Sequence, residues 1–176
     1  MIEVVSDKPF LKEITMIKLF SHTLNLAVVC IGLAVVTNLH AAEQSVTGIF
    51  RGNGKDANLA YAVARPGEPF SGEETIIVVL TEKDTTGEDR PDIMAAFGQF
   101  GSALILTFQR SGDLVGCEVA HTAHEKSPFS SIGKLEVKDF KIDGDKVQAK
   151  LSTGGEVESF GSQTWEVDLS FSVKAP

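Results

Sequence analysis

Apolar and polar residues alternate without a break through the segment 165–173. The apolar positions are Trp165, Val167, Leu169, Phe171 and Val173, and the residues between them are Glu, Asp and Ser. Successive side chains of a β-strand point to opposite faces of the sheet, so all five apolar residues share one face. This pattern predicts a strand with one buried and one solvated face, which is typical of antiparallel sheets.

Clusters of Gly, Asn, Asp and Pro divide the rest of the chain at short intervals, as in all-β domains. Strands are predicted at 45–51, 58–65, 75–81, 102–110, 113–121, 132–140, 146–153 and 165–173, with a short piece at 156–160. Eight or nine strands joined by hairpins predict an antiparallel β-sandwich, with a closed antiparallel β-barrel as the alternative. We favour the sandwich because a ligand-binding barrel usually shows a longer uninterrupted meander.

Several local patterns add detail. Residues 75–81 are apolar on both faces, which predicts a central strand covered on both sides. The segment 58–65 should place Leu59, Tyr61 and Val63 on one face, and Pro66, Gly67 and Pro69 should then break the chain. A bulge near 138–139 would restore the register of the strand at 132–140. Residues 92–97 fit either a single helical turn opened by Pro91 or a short strand, and we favour the strand.

The first 42 residues have the arrangement of a secretory signal peptide. An apolar run from Leu24 to Val36 follows Lys18 and ends near Ala41 and Ala42. A membrane anchor is the alternative, but the run is shorter than the roughly 20 residues that span a bilayer. We therefore expect an N-terminal signal helix in 1–42, removed on export, and a single all-β domain in 43–176. The acidic residues among the first fifteen suggest that translation starts at Met16 rather than Met1.

The formal net charge of −8 remains with the exported domain, because acidic and basic residues balance in 1–42. Binding of nucleic acid or anionic lipid needs clustered Lys and Arg, so the acidic balance argues against both partners. We expect a periplasmic or secreted protein without a transmembrane anchor in its mature form, whose partner belongs to the cell envelope or the extracellular space.

One short segment holds every histidine and thiol of residues 43–176, namely Cys117, His121 and His124. Thiolate and imidazole groups bind zinc or copper, so these three residues are the candidate metal ligands. The two histidines could converge if the strand ends in a turn at 122–123. Cys117 lies about 13 Å along the strand from His121, so it would need a bulge near Gly116 to join them. The alternative is that Cys117 packs as a small buried residue and the histidines are structural.

Catalytic patterns are weaker. Cys117 could pair with either histidine in a small hydrolase, but a thiol in mid-strand on an apolar face predicts an inert cysteine. No Gly-x-Ser-x-Gly segment occurs. The segment 52–56 fits a hairpin turn better than a phosphate loop, and the acidic loop 82–92 fits a solvated loop better than a calcium site. The sequence therefore favours a non-enzymatic domain with a structural or binding role, with a zinc or copper protein and a hydrolase as alternatives.

Overall fold

A computed structural model of the protein describes residues 45–176 as two antiparallel sheets packed face to face. The predicted signal peptide lies outside the described residues. Within them the chain forms eleven strands and one helix, which are β1 (Ser45–Gly52), β2 (Lys55–Ala57), β3 (Tyr61–Phe70), β4 (Glu73–Thr81), α1 (Pro91–Ala96), β5 (Ala103–Gln109), β6 (Leu114–Ala120), β7 (Phe129–Ser130), β8 (Glu136–Asp143), β9 (Lys146–Ser152), β10 (Glu158–Phe160) and β11 (Gln163–Lys174).

The first sheet has the order β2-β1-β11-β9-β8, with β10 also paired to β11, and the second sheet has the order β3-β4-β5-β6-β7. The sheets do not close into one barrel, so the structure supports the sandwich and not its alternative. The predicted strands are present, and β2 and β7 are short additional ones. No helix within 45–176 is long and apolar enough to cross a membrane.

The main core fills the space between the sheets, and β11 lies in the middle of the first sheet. The five alternating residues of the opening pattern, from Trp165 to Val173, are all buried there, which confirms their shared face. Phe50, Phe108 and Leu151 lie among the largest fully buried side chains around them. The β8–β9 register shifts between Lys138 and Lys141, so the predicted bulge is confirmed.

A second, smaller apolar cluster lies on the outer face of the second sheet, under α1. It explains why β4 is apolar on both faces. Ile76, Val78 and Leu80 belong to the main core, while Val79 packs in the outer cluster with Ala95 of the helix. The prediction of a central strand covered on both sides is therefore confirmed.

Three local predictions are wrong. Residues 92–97 lie in and just after a helix rather than a strand, because Pro91 occupies its first turn and Ala95 is the side chain that packs inward. Pro66 and Pro69 do not end the second predicted strand, since both lie within β3. That strand is at the edge of its sheet, where a missing N–H is tolerated. Leu59 enters the main core from a loop before β3, whereas Tyr61 of β3 is exposed, so these two do not share a face.

Candidate functional site

The two candidate histidines meet in a tight turn directly after β6. The backbone N–H of His124 donates to the carbonyl oxygen of His121 at 2.9 Å, so Thr122 and Ala123 occupy the centre of the turn. The ring centroids of His121 and His124 are 5.2 Å apart. We call residues 121–124 the histidine turn. The two histidines therefore converge, as expected if the strand ends in a turn at 122–123.

Both imidazole rings are buried, with 3% of His121 and 9% of His124 exposed. The Ala123 N–H donates to Nδ1 of His121 at 3.0 Å, so in the neutral ring the proton is on Nε2. Nε2 of His124 lies 2.9 Å from the carbonyl oxygen of Thr164, which can only accept, so Nε2 carries the proton there. Nε2 of His121 and Nδ1 of His124 have no hydrogen-bond partner within residues 45–176.

Close packing from β1 and β7 holds these rings in place. The Phe50 ring meets His121 edge-on with 5.2 Å between centroids, and Phe129 lies 5.3 Å from His124. Gly52 makes the approach of β1 possible, because a Cβ at this position would lie 2.4 Å from Cγ of His121. The imidazoles are thus part of an aromatic cluster at one end of the sandwich.

Burial lowers the pKa of His121 below its usual value, and the neighbouring His124 lowers it further. The carboxylate of Glu82 acts in the opposite direction. Glu82 is held in place by the Ser102 N–H, which donates to its Oε2 at 2.6 Å. The surroundings of His121 therefore favour its neutral form.

Cys117 does not join the histidines. It is 1% exposed in the main core, where it lies opposite Leu106 of β5. Burial raises the pKa of its thiol to about 12, with a smaller effect from Glu118. A bulge does occur beside Gly116, between the pairs Thr107–Gly116 and Phe108–Leu114, but it precedes Cys117 and leaves its spacing to His121 unchanged. Within residues 45–176, no three His, Cys, Asp or Glu side chains are placed to share a metal ion.

Asn53 connects the histidine turn to the start of β11. Its Nδ2 donates to the carbonyl oxygen of Ala123 and to Oε1 of Gln163, both at 3.0 Å. Its Oδ1 accepts from the backbone N–H of Thr164 at 2.8 Å, and its own N–H donates to the Thr164 carbonyl at 2.9 Å. From the sequence alone, the segment 52–56 is predicted only as a hairpin turn. The Asn-Gly pair indicates a turn, but nothing in the sequence indicates which distant residues bond to Asn53.

A cleft of about 190 Å³ lies between the histidine turn and the residues that follow α1. Its walls are formed by the helix end (96–98), Gly101, Ala120, three residues of the histidine turn and Ser127. Phe97 lines this cleft with 77% of its surface exposed, the largest exposure among the large apolar side chains in 45–176. The sequence pattern did not indicate this cleft, because Phe97 belongs to the segment 92–97 for which we favoured a strand.

A larger depression of about 550 Å³ lies against the first sheet, beside Phe140 and Ser170. An exposed ion pair crosses part of it, with Nζ of Lys150 2.7 Å from Oδ2 of Asp139. This depression lacks the buried, unpaired polar atoms that accompany the smaller cleft.

The two remaining sequence candidates have structural explanations. Residues 52–56 form the β1–β2 hairpin, as the turn interpretation predicts. In the acidic loop 82–92, Oδ1 of Asp84 accepts from the N–H and the hydroxyl of Thr86. In comparisons with known proteins, the chain matched no protein-family model, no curated protein and no solved structure.

Proposed function

We propose that this chain is an exported, non-catalytic β-sandwich domain that binds a cell-envelope or extracellular partner through the cleft beside the histidine turn. The observation that carries the proposal is the cleft with Phe97 exposed on its wall. Exposed aromatic side chains beside a recess are frequent anchors of protein interfaces. Export is supported by the apolar run 24–36 between Lys18 and Ala41–Ala42.

The size of the cleft favours a macromolecular partner. Pockets for drug-sized ligands usually measure about 300–1,000 Å³, whereas this cleft has about 190 Å³. A space of that volume suits one inserted side chain, with Phe97 covering part of the partner surface around it. The hydrolase alternative has no comparable support, since the thiol of Cys117 is buried and its pKa is raised to about 12.

A photoreactive phenylalanine analogue at position 97 in the native host tests the proposal by crosslinking the bound partner for identification. Binding of that purified partner is then measured with the unmodified domain and with Phe97→Ser. We expect affinity to fall about tenfold or more, as for an interface anchor. Phe70→Ser is the matched control, because Phe70 is 51% exposed but lies at the opposite end of β4 from the cleft. Equal effects of the two substitutions would contradict the proposal.

A metal-binding role for His121 and His124 is the second candidate. It is favoured by the 5.2 Å spacing of the rings and by one unpaired nitrogen on each. Zinc or copper at Nε2 of His121 would require the proton to move to Nδ1, which would break the bond from Ala123. Additional ligands would have to come from a partner or solvent.

Elemental analysis of protein purified from its native compartment tests this candidate. Stoichiometric zinc or copper that is lost in His124→Ala would support it and would make the histidine turn a metal site. Metal content no higher in the unmodified protein than in His124→Ala would exclude it.

A further inference from the structure

The Asn53–Gly54 turn combines a chemically reactive pair of residues with an unusual degree of restraint. Asparagine followed by glycine is the pair most prone to deamidation, because glycine has no side chain to hinder attack by its backbone nitrogen. Both residues are exposed, and a Cβ at Gly54 would meet nothing within 4 Å. Solvent therefore reaches the turn, and sterics at Gly54 do not block the reaction.

We propose that Asn53 is a site of spontaneous deamidation that the folded protein restrains, and that its modification breaks the bridge that Asn53 makes between Ala123 of the histidine turn and Gln163 of β11. The backbone nitrogen of Gly54 attacks Cγ of Asn53, a C–N bond forms, and the bond from Cγ to Nδ2 breaks. The Gly54 amide proton leaves with the amine as ammonia. Water then opens the five-membered succinimide to aspartate or isoaspartate, so the step needs no other reactant.

The restraint comes from hydrogen bonds at both ends of the side-chain amide. Nδ2 donates to Ala123 and Gln163, while Oδ1 accepts from the N–H of Thr164 at 2.8 Å and from its hydroxyl at 3.4 Å. Closing the succinimide ring turns this amide out of the plane in which it makes those bonds. Reaction therefore requires local opening, and its rate should follow the population of the open turn.

The product cannot restore the same contacts. A carboxylate has no N–H to donate, so it would face the Ala123 carbonyl oxygen as a second acceptor. Gln163 could rotate its amide to offer a donor, but its Oε1 would then no longer accept from the Glu125 N–H at 3.3 Å. Buried or half-buried acceptors without donors destabilise the folded state. Ala123 belongs to the histidine turn, so loss of the hydrogen bond from Asn53 to its carbonyl oxygen loosens one wall of the cleft.

The first test follows deamidation at Asn53 by mass spectrometry in the folded domain and in urea-unfolded protein at neutral pH. We expect deamidation in the folded domain to be at least about tenfold slower than in the unfolded protein. Gln163→Ala removes one acceptor and should raise the folded rate, whereas Gln109→Ala, which removes a bond to the Phe70 carbonyl at the other end of the sandwich, should not. Urea at low, non-denaturing concentration should hardly change the rate of deamidation at Asn53 in the Gln163→Ala variant, because local opening of the turn exposes little surface. Equal rates in the folded and unfolded protein would overturn the restraint.

The second test compares Asn53→Asp with Asn58→Asp, which makes the same charge change. Asn58 is exposed and its side chain makes no hydrogen bond within residues 45–176. We expect Asn53→Asp to lower the folding equilibrium constant about tenfold more than Asn58→Asp. We also expect it to accelerate amide exchange at Glu125, whose N–H loses its acceptor if Gln163 rotates. Equal stability of the two variants would overturn the claim that modification breaks a stabilising bridge at Asn53. Neither test depends on the proposed partner, so either can fail without affecting that proposal.

Discussion

Trp165 is the clearest test of the core at the scale of single residues. It is 1% exposed, and the Phe129 ring lies 6.5 Å away in an edge-on arrangement. We expect Trp165→Ala to lower the free energy of unfolding by about 3–5 kcal/mol, through lost transfer energy and a residual cavity. Asp168→Asn, exposed on the opposite face of the same strand, should change it by about 0.5 kcal/mol or less.

Denaturant unfolding of both variants measures these differences. Tryptophan emission gives a separate check, because Trp165 is the single tryptophan of the chain. A short-wavelength maximum shielded from iodide is expected for the folded protein. Emission like that of free tryptophan, freely quenched by iodide, would contradict the buried position and would instead suggest an exposed aromatic platform.

The thiol of Cys117 should be unreactive in the folded protein. Its sulfur is buried, and its pKa is raised to about 12, so almost no thiolate forms at neutral pH. We expect a thiol reagent such as Ellman's reagent to modify it only at the rate of unfolding. Modification in urea-unfolded protein provides the positive control for residues 43–176. Rapid labelling under native conditions would reopen the hydrolase alternative.

At the scale of elements, the sequence predicts those strands in which apolar residues follow a regular pattern. The β11 pattern and the bulge in β8 could be predicted from alternating burial, and the two-sided β4 could be predicted from an unbroken apolar run. The helix α1 could not, since six residues beginning with Pro91 and Asp92 allow either period. The continuation of β3 through Pro66 depends on its edge position, which is a property of the whole sheet.

The candidate site shows the same limit. The turn at 122–123 could be predicted from its position at the end of a strand. The partners of the histidine turn could not, because Asn53 and Thr164 lie about 70 and 40 residues away from it in the chain. The pairing of β1 with β11 and the packing of the second sheet against the first bring these segments together, and single-sequence patterns contain no signal for either.

The contact between β1 and the histidine turn gives a prediction for these two elements. Gly52→Ala places a methyl group where Cγ of His121 lies 2.4 Å away, so either the strand or the ring must move. Overpacking of this kind should lower the free energy of unfolding by about 1–3 kcal/mol. In a His121→Ala background most of that loss should disappear, giving a coupling energy of about 1 kcal/mol or more.

Gly54→Ala is the control for this cycle. Its φ is +73°, so alanine is strained there, but no neighbouring atom lies near the added carbon. Its effect should be the same with and without His121, by denaturant unfolding of the four variants. Coupling of Gly54 to His121 as strong as that of Gly52 would contradict the steric explanation.

At the scale of the whole molecule, the chemistry-bearing side chains are concentrated at one end of the sandwich. The β1–β2 hairpin, the histidine turn, the start of β11 and the residues after α1 all meet there. A scaffold whose rigid sheets position loops at one end is a common arrangement for binding domains.

The final prediction concerns the route of the whole chain to its compartment. We expect export followed by cleavage near Ala42, because a basic residue, a short apolar run and small residues occur in that order before the domain. Intact-mass measurement of the protein from its native host should give a chain beginning within one or two residues of Glu43. Leu33→Arg, which places a charge in the apolar run, should block processing and leave the precursor in the cell. Deletion of residues 1–15 should leave export unchanged if translation begins at Met16. A mature protein that retains residues 24–36 would contradict the prediction and would favour the membrane-anchor alternative.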